Sequence, residues 1–166
     1  MLRAILFDLG DTLIYEHIDD VYKLDEIVLL HLQPHAKEVL ESLSHHYKLG
    51  LITDTETSPE TSVRKALSKV GIEPFFSAIV TSTDIGVRKP DPQIFHETLR
   101  RLNVKPNESA MVGNNIECDI VGAKQLGIIS ILYRNSKYYK INDEKFSDYF
   151  IDSLDEIPLL IAKLDK

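Results

Sequence analysis

The chain has 166 residues, 43% of them hydrophobic and 27% charged, with a formal net charge of −7. That length suits one globular domain and leaves no room for a second full one. The acidic balance argues against a broad grip on nucleic-acid phosphates, which needs clustered Lys and Arg, and the lone cysteine, Cys118, excludes an internal disulfide or a four-sulfur metal site.

Ala4–Phe7 is a short apolar run that ends in Asp8, so the N-terminus reads as neither a signal peptide nor a membrane helix. No apolar run elsewhere approaches the roughly 20 residues of a spanning helix. The expectation is a cytoplasmic protein without a membrane or nucleic-acid partner. Asp19 or Asp20 can cap a helix with Val21, Leu24, Ile27, Val28 and Leu32 on its apolar side, and another helix begins near Pro34. Leu49–Ile52 is the second apolar run. Ser58-Pro59-Glu60 then offers an N-cap, a proline at the first helical position and an acid in the first turn, and the segment stops at Gly71.

Ala78–Val80 follows as a third run, and Asp91-Pro92 opens the next helix. After Ala110–Val112, Asn114 or Asn115 caps a helix that carries Glu117 and Asp119 in its first turn and stops at Gly127. Ile128–Leu132 is a fifth run, Tyr149-Phe150-Ile151 reads as a short edge strand, and Ser153 caps a last helix through Leu164. Apolar runs of this kind are strands buried on both faces. The alternation predicts an α/β fold, a three-layer Rossmann-like parallel sheet with helices on both faces and ligands at the carboxyl ends of the strands.

The chemically suggestive residues fall at those ends. A carboxylate such as Asp8 can attack phosphorus if a cation offsets the charge. Thr53 can hydrogen-bond a phosphoryl oxygen, Lys89 can balance charge on the transferring group, and Asp119 can hold a hard divalent ion. Each alone has a plainer role: a turn aspartate, a loop threonine, a solvated lysine, a helix-terminal acid. Their succession at strand ends is what points to magnesium-assisted phosphoryl transfer.

In these motifs the chain resembles the haloacid dehalogenase superfamily of hydrolases, most of whose members are magnesium-dependent phosphatases. AILFDLGDTLI is similar to that family's first motif, with Asp8 at the nucleophile position; KLGLITDT is similar to the second, with Thr53; VRKPDPQIF to the third, with Lys89; and MVGNNIECDIVGAKQLGI to the fourth, with Asp119. The resemblance implies Asp8, Thr53 and Lys89 as catalytic residues. It implies Thr53, Asp54 and Lys89 as substrate-binding residues, and Asp8, the Gly10 carbonyl, Asn114 and Asp119 as ligands of Mg²⁺. Two positions depart from the pattern: Gly10 stands where a second, proton-shuttling aspartate is usual, and Asn114 where the fourth motif usually has an acid. Asp11 lies one position beyond and is expected to point elsewhere.

Three readings stay open: a phosphatase acting through an aspartyl-phosphate, a non-catalytic relative that binds a phosphorylated ligand or partner protein, and a receiver domain suggested by Asp54 with Lys89-Pro90. Two strand–helix units beyond Lys89-Pro90 disfavour the last. Residues 13–33 are all that is available for the cap that relatives insert, with Tyr15, Glu16 and His17 nearest the mouth. Such an open site would admit a phosphorylated small molecule or a phosphoprotein, or need a second copy of the chain to close it. The His31/His35 spacing is interrupted by Pro34, and Tyr133–Lys140 reads as a basic-aromatic loop.

Overall fold

The computed structural model describes residues 1–16, 24–26, 30–134 and 139–165. Strands β1 (Ala4–Phe7), β2 (Lys48–Thr53), β3 (Phe76–Thr81), β4 (Ser109–Gly113), β5 (Ile129–Tyr133) and β6 (Tyr149–Ile151) form one sheet in the order β3-β2-β1-β4-β5-β6. Every pairing is parallel. The helices are α1 (Ala36–Ser44), α2 (Glu60–Lys69), α3 (Ser82–Ile85), α4 (Pro92–Leu102), α5 (Gly122–Gln125) and α6 (Ile157–Leu164).

A parallel sheet needs cover on both faces, and the period-two alternation of the strands divides the core accordingly. Ile5, Phe7, Leu49, Leu51, Ile79, Val112 and Ile131 pack with α1, α2 and α6. Ala4, Leu6, Ile52, Val80 and Met111 pack with α4 and Ala123 of α5. Ile94, Phe95, Leu99 and Leu102 of α4 are almost wholly buried, each contributing about 1.5–3 kcal/mol. Gly50 lets α4 lie close: a methyl there would stand 2.9 Å from Leu102 Cδ1 and from Leu6 Cδ2.

The helix starts follow the sequence signals with one correction. Asp91 caps α4, its Oδ1 accepting from the Gln93 N–H at 2.9 Å. Asn115, rather than Asn114, caps the next helical segment by accepting from the Cys118 N–H at 2.9 Å. That segment begins as a π-helical turn, Ile116–Val121, before α5. At α2 the expected cap, Ser58, is displaced: Pro59 holds the N-cap position, and Oδ2 of Asp84 in α3 accepts the Glu60 N–H at 2.7 Å. A carboxylate brought by α3 satisfies that donor better than the local hydroxyl.

β6 is the edge strand expected of Tyr149–Ile151. Asp148 staples it to β5, accepting from Ser130 N at 2.9 Å and Ser130 Oγ at 2.8 Å. Tyr133 is buried at the end of β5 rather than part of a loop cluster. Arg134 stacks over Phe150 at 4.1 Å and bonds Asp152, so two of the residues read as a solvated loop are tied to the sheet edge. Residues 135–138 of that cluster lie outside the described residues.

Most of the helix expected from Asp19 or Asp20, together with His17, also lies outside the described residues. In the described part of the 13–33 segment, Ile14 bridges Gly10 and Leu32, Tyr15 N donates to His31 O at 3.0 Å, and Gln33 N donates to Leu13 O at 2.8 Å. Leu24–Glu26 forms a short 3-10 turn, with Asp25 3.7 Å from Lys65 of α2. Among the described residues no helix is long and apolar enough to cross a membrane.

Candidate active site

From β1 the sheet extends through β2 to β3 on one side and from β4 to β6 on the other, so the strand order reverses between β1 and β4. Open α/β sheets bind ligands in the crevice beyond the strand ends at such a reversal. Asp8 directly follows β1, and its N–H donates to Val112 O of β4 at 3.0 Å. Thr53 is the last residue of β2, in register with Thr81 of β3. Asn114 follows β4, Asp119 comes from the π-helical turn beyond it, and Lys89 lies in the loop between α3 and α4.

Lys89 brings Asp8 and Asp119 together. Its Nζ donates to Asp8 Oδ1 at 2.7 Å, to Asp119 Oδ1 at 2.8 Å and to the Ile52 carbonyl at 3.1 Å, using all three ammonium protons. Burial works against this ammonium, but Asp119, Asp8 and Asp54 outweigh it and hold its pKa above the ordinary lysine value. Burial also pushes the Asp119 carboxyl up, with the Asp8 charge adding to it and Lys89 opposing it. Asp119 Oδ2 accepts the Asn115 N–H at 3.0 Å. Gly113 is needed here, because a Cβ at that position would fall 2.4 Å from Asp119 Oδ2.

Asp54 supports Lys89 rather than facing the crevice alone: its Oδ1 accepts the Lys89 backbone N–H at 3.0 Å. Thr12 is a site neighbour that sequence reasoning missed. Its hydroxyl donates to Asp8 Oδ2 at 2.9 Å and lies 3.3 Å from Asn114 Oδ1. A hydroxyl four positions after the strand-end aspartate, in a turn, was the available signal. Cys118 stays a bystander, since burial and the adjacent Asp119 push its thiol up to about 11, far from the reactive thiolate range.

A magnesium-type cation takes one or two carboxylates and fills the rest of its octahedron with neutral oxygens and water. Asp8 and Asp119, joined through Lys89, and Asn114, linked to Asp8 through Thr12, are two carboxylates and an amide that could hold such a cation. Asn114 Nδ2 is buried without a hydrogen-bond partner, and a half-turn of the amide would put its oxygen in that place. Among the described residues no group of three or more His, Cys, Asp or Glu forms a metal site by itself. A cation here would therefore have to draw on neutral oxygens as well.

The turn after Asp8 is tightly folded. The N–H groups of Leu13 and Ile14 donate to Leu9 O at 2.9 and 3.1 Å, and Asp11 N donates to Ile14 O at 2.7 Å. Asp11 adopts the left-handed conformation, φ 56°, which aspartate tolerates better than most residues. Its Oδ1 accepts the Glu16 N–H at 2.9 Å, which ties the Asp11 side chain to the backbone of the turn. The chain thereby returns to Gly10.

The family described as haloacid dehalogenase-like hydrolase matches residues 14–133, well over half the chain. The chain belongs to the haloacid dehalogenase-like hydrolase family. Over 142 residues, 85% of the chain, it is 35% identical to the glyceraldehyde 3-phosphate phosphatase of Methanocaldococcus jannaschii, covering 61% of that protein. It is 37% identical to the Methanopyrus kandleri protein of the same name over 123 residues, 72% of the chain and 52% of the relative. The chain thus spans about half to three-fifths of the length of these relatives. Among solved structures, an uncharacterized protein from Listeria monocytogenes serotype 4b superposes with a TM-score of 0.88 at 28% identity, over 99% of both chains. A phosphatase of the haloacid dehalogenase family from Thermococcus onnurineus shares the fold, with a TM-score of 0.77 at 23% identity over 96% of this chain and 98% of that one. Membership in this hydrolase family sets the receiver reading aside, and Asp54, whose Oδ1 takes the Lys89 N–H, has a different task from a receiver's phosphorylated aspartate.

Proposed function

We propose that the protein is a magnesium-dependent phosphomonoester hydrolase acting through an aspartyl-phosphate on Asp8. The observation that carries this reading is the Lys89 ammonium joining Asp8 and Asp119 at the reversal of the sheet. The phosphatase names of the curated relatives support it, and a phosphorylated small molecule of the glyceraldehyde 3-phosphate class is the substrate they favour.

In this reading Asp8 attacks phosphorus, with Thr12 holding its other oxygen by a hydrogen bond that orients the carboxylate. Lys89 balances charge as it gathers on the transferring group, and Asp54 fixes the backbone that carries Lys89. Thr53 hydrogen-bonds a phosphoryl oxygen. Asp8, Asp119, Asn114 and the Gly10 carbonyl would hold Mg²⁺, which when bound neutralises phosphoryl charge and polarises the phosphorus. Residues 1–166 act as one core domain with 13–33 as a reduced cap, in a cytoplasmic setting.

Gly10 favours a second reading, a protein that binds a phosphorylated ligand or partner without hydrolysing it. Phosphate release from a panel of phosphorylated metabolites with Mg²⁺, run beside Asp8→Asn, separates the two. Turnover that Asp8→Asn removes is the expected result; wild-type protein that binds phosphate esters and releases no phosphate overturns the enzymatic reading.

A further inference from the structure

Transfer of a phosphoryl group to Asp8 leaves an alkoxide that needs a proton, and its onward transfer to water needs a base. The side chains bonded around Asp8 are poor sources of either. Lys89 already gives its three ammonium protons to Asp8, Asp119 and the Ile52 carbonyl, Thr12 donates its proton to Asp8, and Asn114 is an amide. Both oxygens of Asp119 already accept hydrogen bonds, from Lys89 and from Asn115.

A carboxylate does stand beside Gly10, two residues after Asp8. The alternation of β1 runs past its last residue, since Leu9 joins Ile5 and Phe7 in one core cluster; positions 8 and 10 therefore share the other parity. A Cβ at Gly10 would lie 3.7 Å from both Oε1 and Cγ of Glu16 and 3.8 Å from its Cβ. The Glu16 side chain thus lies beside the space that a side chain at position 10 would enter. The 9–14 turn and the Asp11 clamp on the Glu16 N–H put it there. Glu16 is solvent-exposed, as a group that exchanges protons with water must be.

We propose that Glu16 is the catalytic carboxylate that protonates the leaving oxygen and then activates water, with Asp11 as the residue that positions it. The proposal rests on the phosphatase reading above. In the first step an Asp8 oxygen bonds to phosphorus as the ester P–O bond breaks; the departing oxygen keeps the electron pair and takes the proton of the Glu16 carboxylic acid. In the second step a water oxygen bonds to phosphorus as the Asp8–phosphorus bond breaks. That electron pair returns to Asp8, and the Glu16 carboxylate takes the water proton. The products are an alcohol and inorganic phosphate, and Glu16 ends protonated for the next turnover.

The test compares p-nitrophenyl phosphate, whose leaving oxygen departs without a proton, with glyceraldehyde 3-phosphate, whose leaving oxygen needs one, both with Mg²⁺. Glu16→Gln should lower kcat on glyceraldehyde 3-phosphate by about 10²–10⁴-fold with little change in KM. On p-nitrophenyl phosphate it should give a stoichiometric burst of nitrophenol with phosphate trapped on Asp8, because the second step has lost its base while the first has not. Asp11→Ala should show the same burst with intact KM, a signature that mere loss of folded protein does not produce. Gly10→Asp added to Glu16→Gln should restore turnover at least in part, since the contacts at that position are of ordinary van der Waals length. Wild-type turnover that Asp8→Asn abolishes and Glu16→Gln leaves within about twofold overturns the role of Glu16 and leaves the phosphatase standing. Absence of wild-type turnover overturns both.

Discussion

Lys89 Nζ lies 2.7 Å from Asp8 Oδ1 and 2.8 Å from Asp119 Oδ1, so one buried ammonium is shared by two carboxylates that come from opposite sides of the sheet reversal. Charges taken out of water at this depth persist only when paired and hydrogen-bonded. The three-residue cluster is therefore a structural commitment as well as a chemical one.

Lys89→Met tests that commitment. It leaves two buried carboxylates facing each other without a cation, and removal of one partner from a buried ion pair costs about 3–5 kcal/mol. Urea unfolding at pH 7 should show a loss of that size. Added millimolar Mg²⁺ should recover part of it by restoring positive charge between the acids. Phosphate release should fall below detection. A stability loss under about 1 kcal/mol would contradict the buried-cluster description.

Gly113→Ala addresses the seat of Asp119. The new methyl would overlap the Asp119 carboxylate, its Cβ 2.5 Å from both Cβ and Cγ of that residue. Relief requires Asp119 to leave Lys89 or the Asn115 N–H. Overpacking of this kind costs about 1–3 kcal/mol, and turnover should fall more steeply than the melting temperature. Wild-type activity in the alanine variant would mean that Asp119 can be moved without consequence.

Asp148→Asn concerns the β5–β6 edge and carries a pH dependence. Burial favours the neutral acid, but Lys124 and the Ser130 N–H and hydroxyl outweigh it and hold the carboxyl below its ordinary value. A folded pKa below the unfolded one stabilises the fold above the unfolded value, near 4, and the gain fades as pH falls through the folded value. Since Asp148 is partly exposed, the loss in Asp148→Asn at pH 7 should be about 1 kcal/mol. The gap between the two melting curves should narrow below about pH 4. A constant gap from pH 7 to pH 3 would show that the charge of Asp148 contributes nothing.

The strands were legible because burial on both faces leaves runs of apolar residues: β1 and β6 coincide with their runs, β2, β3 and β4 extend theirs by one or two residues at each end, and β5 is shifted by one residue. The Asp91 cap was equally legible, being local. What sequence could not yield was set by distant parts of the chain. Asp84 replaces Ser58 as the donor's partner at α2, an exchange that needs α3 laid against that helix. Tyr133 looked like loop because its neighbours are basic, yet it completes β5. Within the site, Asp8, Lys89 and Asp119 were identified from their motifs, and the structure brings them into hydrogen-bonding contact. Thr12 left only the weak signal of a hydroxyl four positions after Asp8, and the nearness of Glu16 to Gly10 depends on how the 9–14 turn folds, a path that no pattern of residue types announces.

The attachment of Lys89 sets what can move. Asp54 grips its backbone N–H and the Ile52 carbonyl receives its ammonium, so the side chain is moored at both ends to the same strand end, β2. The cation cannot swing outward to meet a ligand without breaking from the sheet. On the proposed phosphatase reading it would be a fixed post against which an incoming phosphate is measured, and adjustment to fit different esters would fall to the ester and to the turn that carries Glu16.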